Sequence, residues 1–291
     1  SLSKHLDILL PLLKEVLVEA TFPEGELNTI VSNHQEKLTL SLQKNEVVAG
    51  RLFKEKMYGT AHPYGYTANP ELYKGINAPL LKHFYDSHYT ANNCAIYIAG
   101  KVTDAQLKSI NTQLGTSDWV STQQIIEPQY NAISFQPEKI YLKGPQSAQA
   151  SIIIGRPMFN RTHPDYLAMR TTNTLLGGFF GSRLMRNIRE DKGYTYGIHS
   201  SISSLLNGGH FYISTDVKAD VWEDAVKEIF IEIGRLQNEP IEAEELELVK
   251  NYLIGSMLSQ LDGTFSLASA LQNSHLYGLD EQFYHEMLTS I

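Results

Sequence analysis

The chain has 291 residues, 42% of them hydrophobic and 19% charged, a globular composition long enough for two ordinary domains. A net charge of −8, with 24 basic residues scattered and forming no run, argues against a nucleic-acid or anionic-membrane partner. No stretch approaches the ~18–20 apolar residues of a membrane span, and residues 2–17, the longest apolar-rich segment, are interrupted by Lys4, Asp7, Lys14 and Glu15.

The chain does not begin with Met, and Ser1-Leu2 opens straight onto a helical pattern, as an excised fragment would. Residues 4–19 read as an amphipathic helix with Leu6, Leu9, Leu10, Leu13, Val16 and Leu17 on one side. Phe22-Pro23-Glu24 marks a break and a new helix start with acidic residues in its first turn. That helix is expected to run long, to about Tyr58. His62-Pro63-Tyr64-Gly65 is turn chemistry. Residues 78–89 are expected as a helix, 94–100 as a buried strand and 103–115 as a short helix. Cys94, the single cysteine, opens that strand; it rules out an internal disulfide and reads as an inert core thiol.

Between Trp119 and Pro137 the pattern weakens into Ser, Thr, Gln and Pro, the composition of a linker. Lys139-Ile140-Tyr141-Leu142 and residues 148–154 then read as strands, and residues 165–176 and 181–191 as helices. Residues 194–203 and 209–217 form a hairpin around Leu206-Asn207-Gly208. Residues 222–237, 243–260 and 264–276 read as helices. Hairpins among helix pairs point to an α+β plan, antiparallel sheet with helices on one face. The two halves echo each other weakly, each with a helix introduced by Phe22-Pro23-Glu24 or Pro240-Ile241-Glu242.

The most informative stretch runs from Gly181-Ser182-Arg183-Leu184 to Asn187-Ile188-Arg189-Glu190-Asp191-Lys192-Gly193-Tyr194-Thr195-Tyr196-Gly197. It reads as a helix that stops at Lys192-Gly193, where glycine supplies a left-handed residue, and turns at once into a strand. Arg189 occupies the last helical turn and Tyr196 lies just past the corner. A fixed cation and a fixed phenol can reach one small volume and grip a peptide carbonyl or a developing oxyanion. Tyr194, two residues before Tyr196, is expected on the same strand face and is a weaker candidate for the same work.

This stretch resembles the second-half signature of the M16 (pitrilysin, insulinase and mitochondrial-processing-peptidase) metallopeptidases. There an Arg and a Tyr with the spacing of Arg189 and Tyr196 contact the substrate. Leu175-Leu176-Gly177-Gly178-Phe179-Phe180-Gly181-Ser182-Arg183-Leu184 resembles the glycine-containing loop and helix start of the second M16 domain. That assigns Gly177 and Gly178 to substrate binding; the glycines equally suit permissive backbone between two helices. Glu24 to Asn69 and the run from Ala91-Asn92-Asn93 into residues 94–100 resemble the later part of an M16 first domain. The resemblance implies two homologous α+β domains of the LuxS/MPP-like metallohydrolase type, the first truncated at its N-terminus. Residues 1–119 would be the second part of the first domain, 120–137 the linker, and 138–291 the second domain, bearing Arg189 and Tyr196.

The zinc half of the family pattern is missing. None of the ten histidines forms His-x-x-Glu-His or His-Glu-x-x-His; His285-Glu286 comes nearest, with Thr289 where a second His is needed. In active relatives the long helix carries two Glu seven residues apart, about two turns, and the later one completes the zinc site. Glu26 matches the first, but Asn33 stands at the later position, and a neutral amide is a poor substitute for a carboxylate on zinc. Glu36, three residues on, would need a register slip that the frame of Glu26-Leu27-Asn28 opposes. The resemblance therefore implies a non-metal subunit or half, without a cofactor of its own. It would bind a peptide substrate and lend Arg189 and Tyr196 to a zinc-bearing M16 partner for peptide-bond hydrolysis, and would be inactive alone. The alternative is a catalytically inert M16-fold scaffold or assembly protein. No Ser/His/Asp set or catalytic-thiol motif supports an autonomous enzyme of another class.

Overall fold

The computed structural model describes residues 3–116, 119, 135–145 and 148–289. Its contacts divide the chain into two compact units, Ser1–Thr39 with Ala68–Tyr130, and Leu40–Thr67 with Asn131–Ile291. The expected linker lies outside the described residues except for 135–137.

The first unit holds helices α1 (Leu6–Val18), most of α2 (Glu24–Ser41), α4 (Ala78–His88) and α5 (Asp104–Leu114). Their ends follow local chemistry. Asn77 caps α4 by accepting from the Leu80 N–H at 2.9 Å, and Thr103 and Gln106 cap α5 reciprocally. α1 packs on α5 through Leu10, Leu114 and Trp119, whose indole donates to the Leu114 carbonyl at 2.9 Å. Residues 94–99 join no ladder among the described residues, and Cys94 is exposed rather than a core thiol. An apolar strand pattern is realised as a strand only where a second strand meets it.

The long helix expected to run from Glu24 to Tyr58 is two helices. α2 ends at Ser41 with tight turns, the Gln43 and Lys44 N–H groups donating to the Leu40 and Ser41 carbonyls, and Lys44 is extended (φ −100°, ψ 129°). α3 (Asn45–Tyr58) then starts afresh in the second unit, where the Asn45 amide donates to the Gln149 carbonyl at 2.7 Å. Contacts thus group residues 40–67 with the later half, although the sequence plan places them within residues 1–119.

The second unit is built on β1 (Gln149–Met158), β2 (Thr195–Leu205) and β3 (Gly208–Lys218), antiparallel in the order β1-β3-β2. The hairpin falls where the Leu206-Asn207-Gly208 turn signal put it. Residues 139–142 form no strand, and Tyr141 lies instead against Trp222. Strand parity assigns the two sheet faces. Ile152, Ile154, Ile198, Phe211 and Ile213 face a core with Leu176, Leu184, Ile188 and Ile229, the last from α7 (Trp222–Asn238). The other parity meets α3: Gly50 approaches Ile153, and Phe53 lies against His210 and Tyr212. A Cβ on Gly155 would sit 2.7 Å from the Phe53 ring, so this glycine admits α3. Helices therefore cover both faces of this sheet, not one; the residues of α3 are polar enough in sequence that their second, apolar duty was masked. Helices α8 (Ala243–Leu261), α9 (Thr264–Tyr277) and α10 (Glu281–Thr289) complete the unit.

Candidate functional site

Helix α6 (Tyr166–Asn173) widens into a π-helical turn, Thr174–Gly178, that lies against β2. Gly177 is buried there, and a Cβ on it would fall 2.7 Å from both the backbone nitrogen and the hydroxyl of Ser200. Glycine is needed because backbone meets backbone. Gly178 is looser, 3.2 Å from the Asn173 amide by the same measure. Phe179 then takes extended backbone, so consecutive side chains point to opposite sides. Phe179 stacks on Tyr252 of α8 at 4.9 Å, while Phe180 is 63% exposed.

The next segment is helical from Arg183 and π-helical over Met185–Asp191. Leu184 and Ile188 are fully buried and fix its inner face. Arg183 is buried and forked onto Glu245 of α8, Nε to Oε1 at 2.9 Å and Nη2 to Oε2 at 2.6 Å. That bond raises the Arg183 pKa and holds the Glu245 carboxyl below its ordinary value. One turn on, the Asn187 amide donates to Glu228 and Glu232 at 3.0 and 2.7 Å, and Arg235 also bonds Glu232. Gly193 (φ 65°) ends the segment as expected, and the Tyr194 N–H reaches back to the Ile188 carbonyl at 3.0 Å.

The corner after Gly193 differs from a plain strand start. The register of β2 on β3 shifts between Thr195 and Ile198, a bulge. The Thr195 hydroxyl lies 2.7 Å from the Asp216 carbonyl and accepts the Gly197 N–H at 3.1 Å, while the Thr215 hydroxyl sits 2.9 Å away. The bulge breaks the two-residue alternation. Tyr194 packs against the buried core, whereas Tyr196 is 92% exposed. The two tyrosines do not share a face, contrary to the expectation from period two.

Arg189 sits in the last turn, half-buried, with Cζ 4.4 Å from the Phe180 ring centroid and 5.6 Å from that of Tyr196. Among the described residues no carboxylate or carbonyl accepts a hydrogen bond from its guanidinium. Beside this triad lies a concavity of ≈ 880 Å³, whose walls include Gly177, Gly178, Phe180, Tyr194 and Tyr196 as well as Asp216 and Lys218. The structure therefore brings Arg189 and Tyr196 together, as the sequence spacing predicts. Phe180 and the Thr195–Thr215 clamp were missed. The Phe179-Phe180 pair, one residue for each side of an extended chain, was the available signal for the first; nothing in one sequence signals a bulge.

Glu26 and Asn33 both lie exposed on α2, in the first unit. Among the described residues no group of three or more His, Cys, Asp or Glu side chains is placed to hold a metal ion. An exposed amide at the expected carboxylate position does not fit zinc. Nor is any described helix long and apolar enough to cross a membrane.

The second unit is helical with a small antiparallel sheet, and its helix–corner–strand carries an arginine beside an exposed tyrosine, the arrangement that the resemblance to M16 proteins implies. The chain belongs to that family: the family described as Peptidase M16 inactive domain matches residues 75–253. It is 25% identical over 270 residues to an uncharacterized zinc protease, YmxG, of Bacillus subtilis, covering 92% of this chain and 64% of that protein. It is also 25% identical over 303 residues to the Helicobacter pylori protein described as a non-peptidase homolog, covering all of this chain and 67% of that one. The crystal structure of a peptidase M16 inactive domain from Pseudomonas fluorescens superposes with a TM-score of 0.80 at 25% identity, over 97% of this chain and 67% of that one. The chain spans roughly half to two thirds of the length of the curated relatives it matches.

Proposed function

We propose that this chain is the non-zinc subunit or half of an M16 peptidase, and that it binds a peptide and presents Arg189 and Tyr196 to the active site of a zinc-bearing partner. The observation that carries this reading is Arg189 itself. It is a half-buried cation held against two rings, with no acceptor among the described residues, beside a phenol 92% exposed. Charged donors held in place without an internal acceptor suit an external oxygen. Arg189 would hold a substrate carbonyl, and Tyr196 would donate to the oxyanion as it forms. Zinc in the partner would supply the activated water; among the described residues no metal-holding group is placed to do so, and on this reading the chain would be inactive alone. The two homologous domains, 1–119 and 138–291 around a 120–137 linker, are part of the same proposal.

The test is reconstitution with an M16 chain that carries an intact zinc motif. This chain alone should cleave no peptide and should carry no stoichiometric zinc by elemental analysis. The pair should be active, and Tyr196→Phe should lower turnover by about 10²–10³-fold, the usual cost of one oxyanion donor. Wild-type rates in pairs carrying Tyr196→Phe and Arg189→Ala would sink the reading. The second reading, an inert scaffold, draws on the description of the Helicobacter pylori relative as a non-peptidase homolog. It predicts a stable complex whose activity ignores both substitutions.

A further inference from the structure

Sequence spacing brings Arg189 and Tyr196 to one corner, but it does not say what aims the guanidinium. Arg189 lies in the last turn of its segment, with a long rotatable side chain and no internal hydrogen bond among the described residues. A free arginine would lose much rotamer entropy on gripping a ligand. The nearer of its two aromatic neighbours is Phe180, at 4.4 Å against 5.6 Å for Tyr196. Phe180 is itself held, although 63% exposed. The preceding Phe179 is stacked on Tyr252, and a Cβ on the following Gly181 would fall 2.8 Å from the Phe179 ring. The loop is thus pinned on both sides of Phe180. An exposed phenylalanine makes no contribution to the core, so its place over a cation asks for another reason.

We infer that Phe180 is a positioning residue for ligand binding: its ring face holds the Arg189 guanidinium so that the N–H edge stays free for an in-plane acceptor, a backbone carbonyl oxygen of an extended peptide. A guanidinium lying on an aromatic face is attracted by the ring quadrupole and keeps its donors at the rim of its own plane. This fixes the direction from which an oxygen can approach, along the wall of the concavity that Phe180 and Tyr196 share. The inference rests on the peptide-binding reading above and adds to it a residue and a ligand geometry.

Fluorescence anisotropy tests it, with a fluorescein-labelled decapeptide of Ala, Gly, Leu and Ser, acetylated and amidated so that only backbone carbonyls are offered. The variants are Phe180→Leu, Phe180→Trp and Arg189→Ala. Leu keeps apolar bulk but has no quadrupole, and Trp has a stronger one. Phe180→Leu is expected to weaken binding about two- to five-fold, the span of an exposed cation–π contact, and Phe180→Trp to match or exceed the wild type. In the free protein, the Arg189 Nε–H resonance, assigned by its loss in Arg189→Ala, should shift in Phe180→Leu. If Phe180→Leu binds as the wild type while Arg189→Ala does not, the positioning role is wrong and the peptide-binding reading survives. If Arg189→Ala also binds as the wild type, or the wild type binds no peptide, that reading falls and this inference with it.

Discussion

Arg183 and Arg189 stand six residues apart in one helical segment and are treated in opposite ways. Arg183 is buried and forked onto Glu245, and only its Nη1 lacks a partner. Arg189 has no acceptor among the described residues and is held by rings instead. The first ties the segment to α8 and therefore belongs to the fold. The second is steadied by rings without an internal acceptor, as the proposed peptide-binding role requires. Side-chain type is the same in both cases; what differs is where the donors end.

The sharpest way to break this comparison is to remove the partner of the first arginine. Glu245→Ala leaves Arg183 buried with its charge uncompensated, and should cost about 3 kcal/mol, the low end of the usual range because Glu245 is partly exposed. Urea unfolding monitored by circular dichroism measures it. A loss below about 0.5 kcal/mol, the scale of ordinary surface changes, would show that Arg183 is no more structural than its neighbour.

The glycines flanking the same corner sharpen the contrast. Gly177 lies backbone to backbone on Ser200, so Gly177→Ala should destabilise by about 1–3 kcal/mol, the cost of overpacking. Gly178→Ala, with 3.2 Å to the Asn173 amide, should cost less. Equal costs in paired thermal melts would remove the distinction between a glycine the packing demands and one it tolerates.

The far face of the sheet offers a control remote from the corner. The Tyr58 hydroxyl and His210 Nδ1 are 2.6 Å apart between α3 and β3. Burial, and secondarily Lys54, pushes His210 from 6.5 down to about 4, while burial raises Tyr58 to about 12. Between those histidine values the unfolded chain binds a proton that the folded chain refuses. Stability is therefore full above pH 6.5 and falls as pH drops toward 4. After allowance for solvent screening the loss should be about 1–2 kcal/mol, and His210→Gln should flatten that part of the profile. An unchanged slope in the variant would place the acid sensitivity elsewhere.

The corner was legible in sequence because its signals are local. Leu184 and Ile188 give the helical period, Gly193 the stop, and Arg189 to Tyr196 the spacing, and each is found where it was expected. Legibility failed where a distant partner decides. Residues 94–99 carry a strand pattern that becomes a strand only beside another strand. The split of α2 from α3 reflects the docking of Gly50 and Phe53 on β1, more than a hundred positions along the chain. Tyr194 and Tyr196 were assigned one face by period two, and the Thr195 bulge, held by Thr215 across the sheet, sends them apart.

The smallest expected change in stability bears most directly on the comparison. Tyr196 is 92% exposed and makes no hydrogen bond among the described residues, and Arg189 contacts only rings there. Tyr196→Phe should therefore leave unfolding free energy within about 0.5 kcal/mol of wild type, and Arg189→Ala within about 1 kcal/mol, the value of an exposed cation–π contact. Functional cost and folding cost then separate: the residues that matter least to the fold are those on which the proposed activity depends. Differential scanning calorimetry of both variants beside Glu245→Ala reads the two arginines on one scale. If Arg189→Ala melts as early as Glu245→Ala, Arg189 is structural after all. Its ring contacts are then a packing device, and the scaffold reading gains what the peptide-binding reading loses.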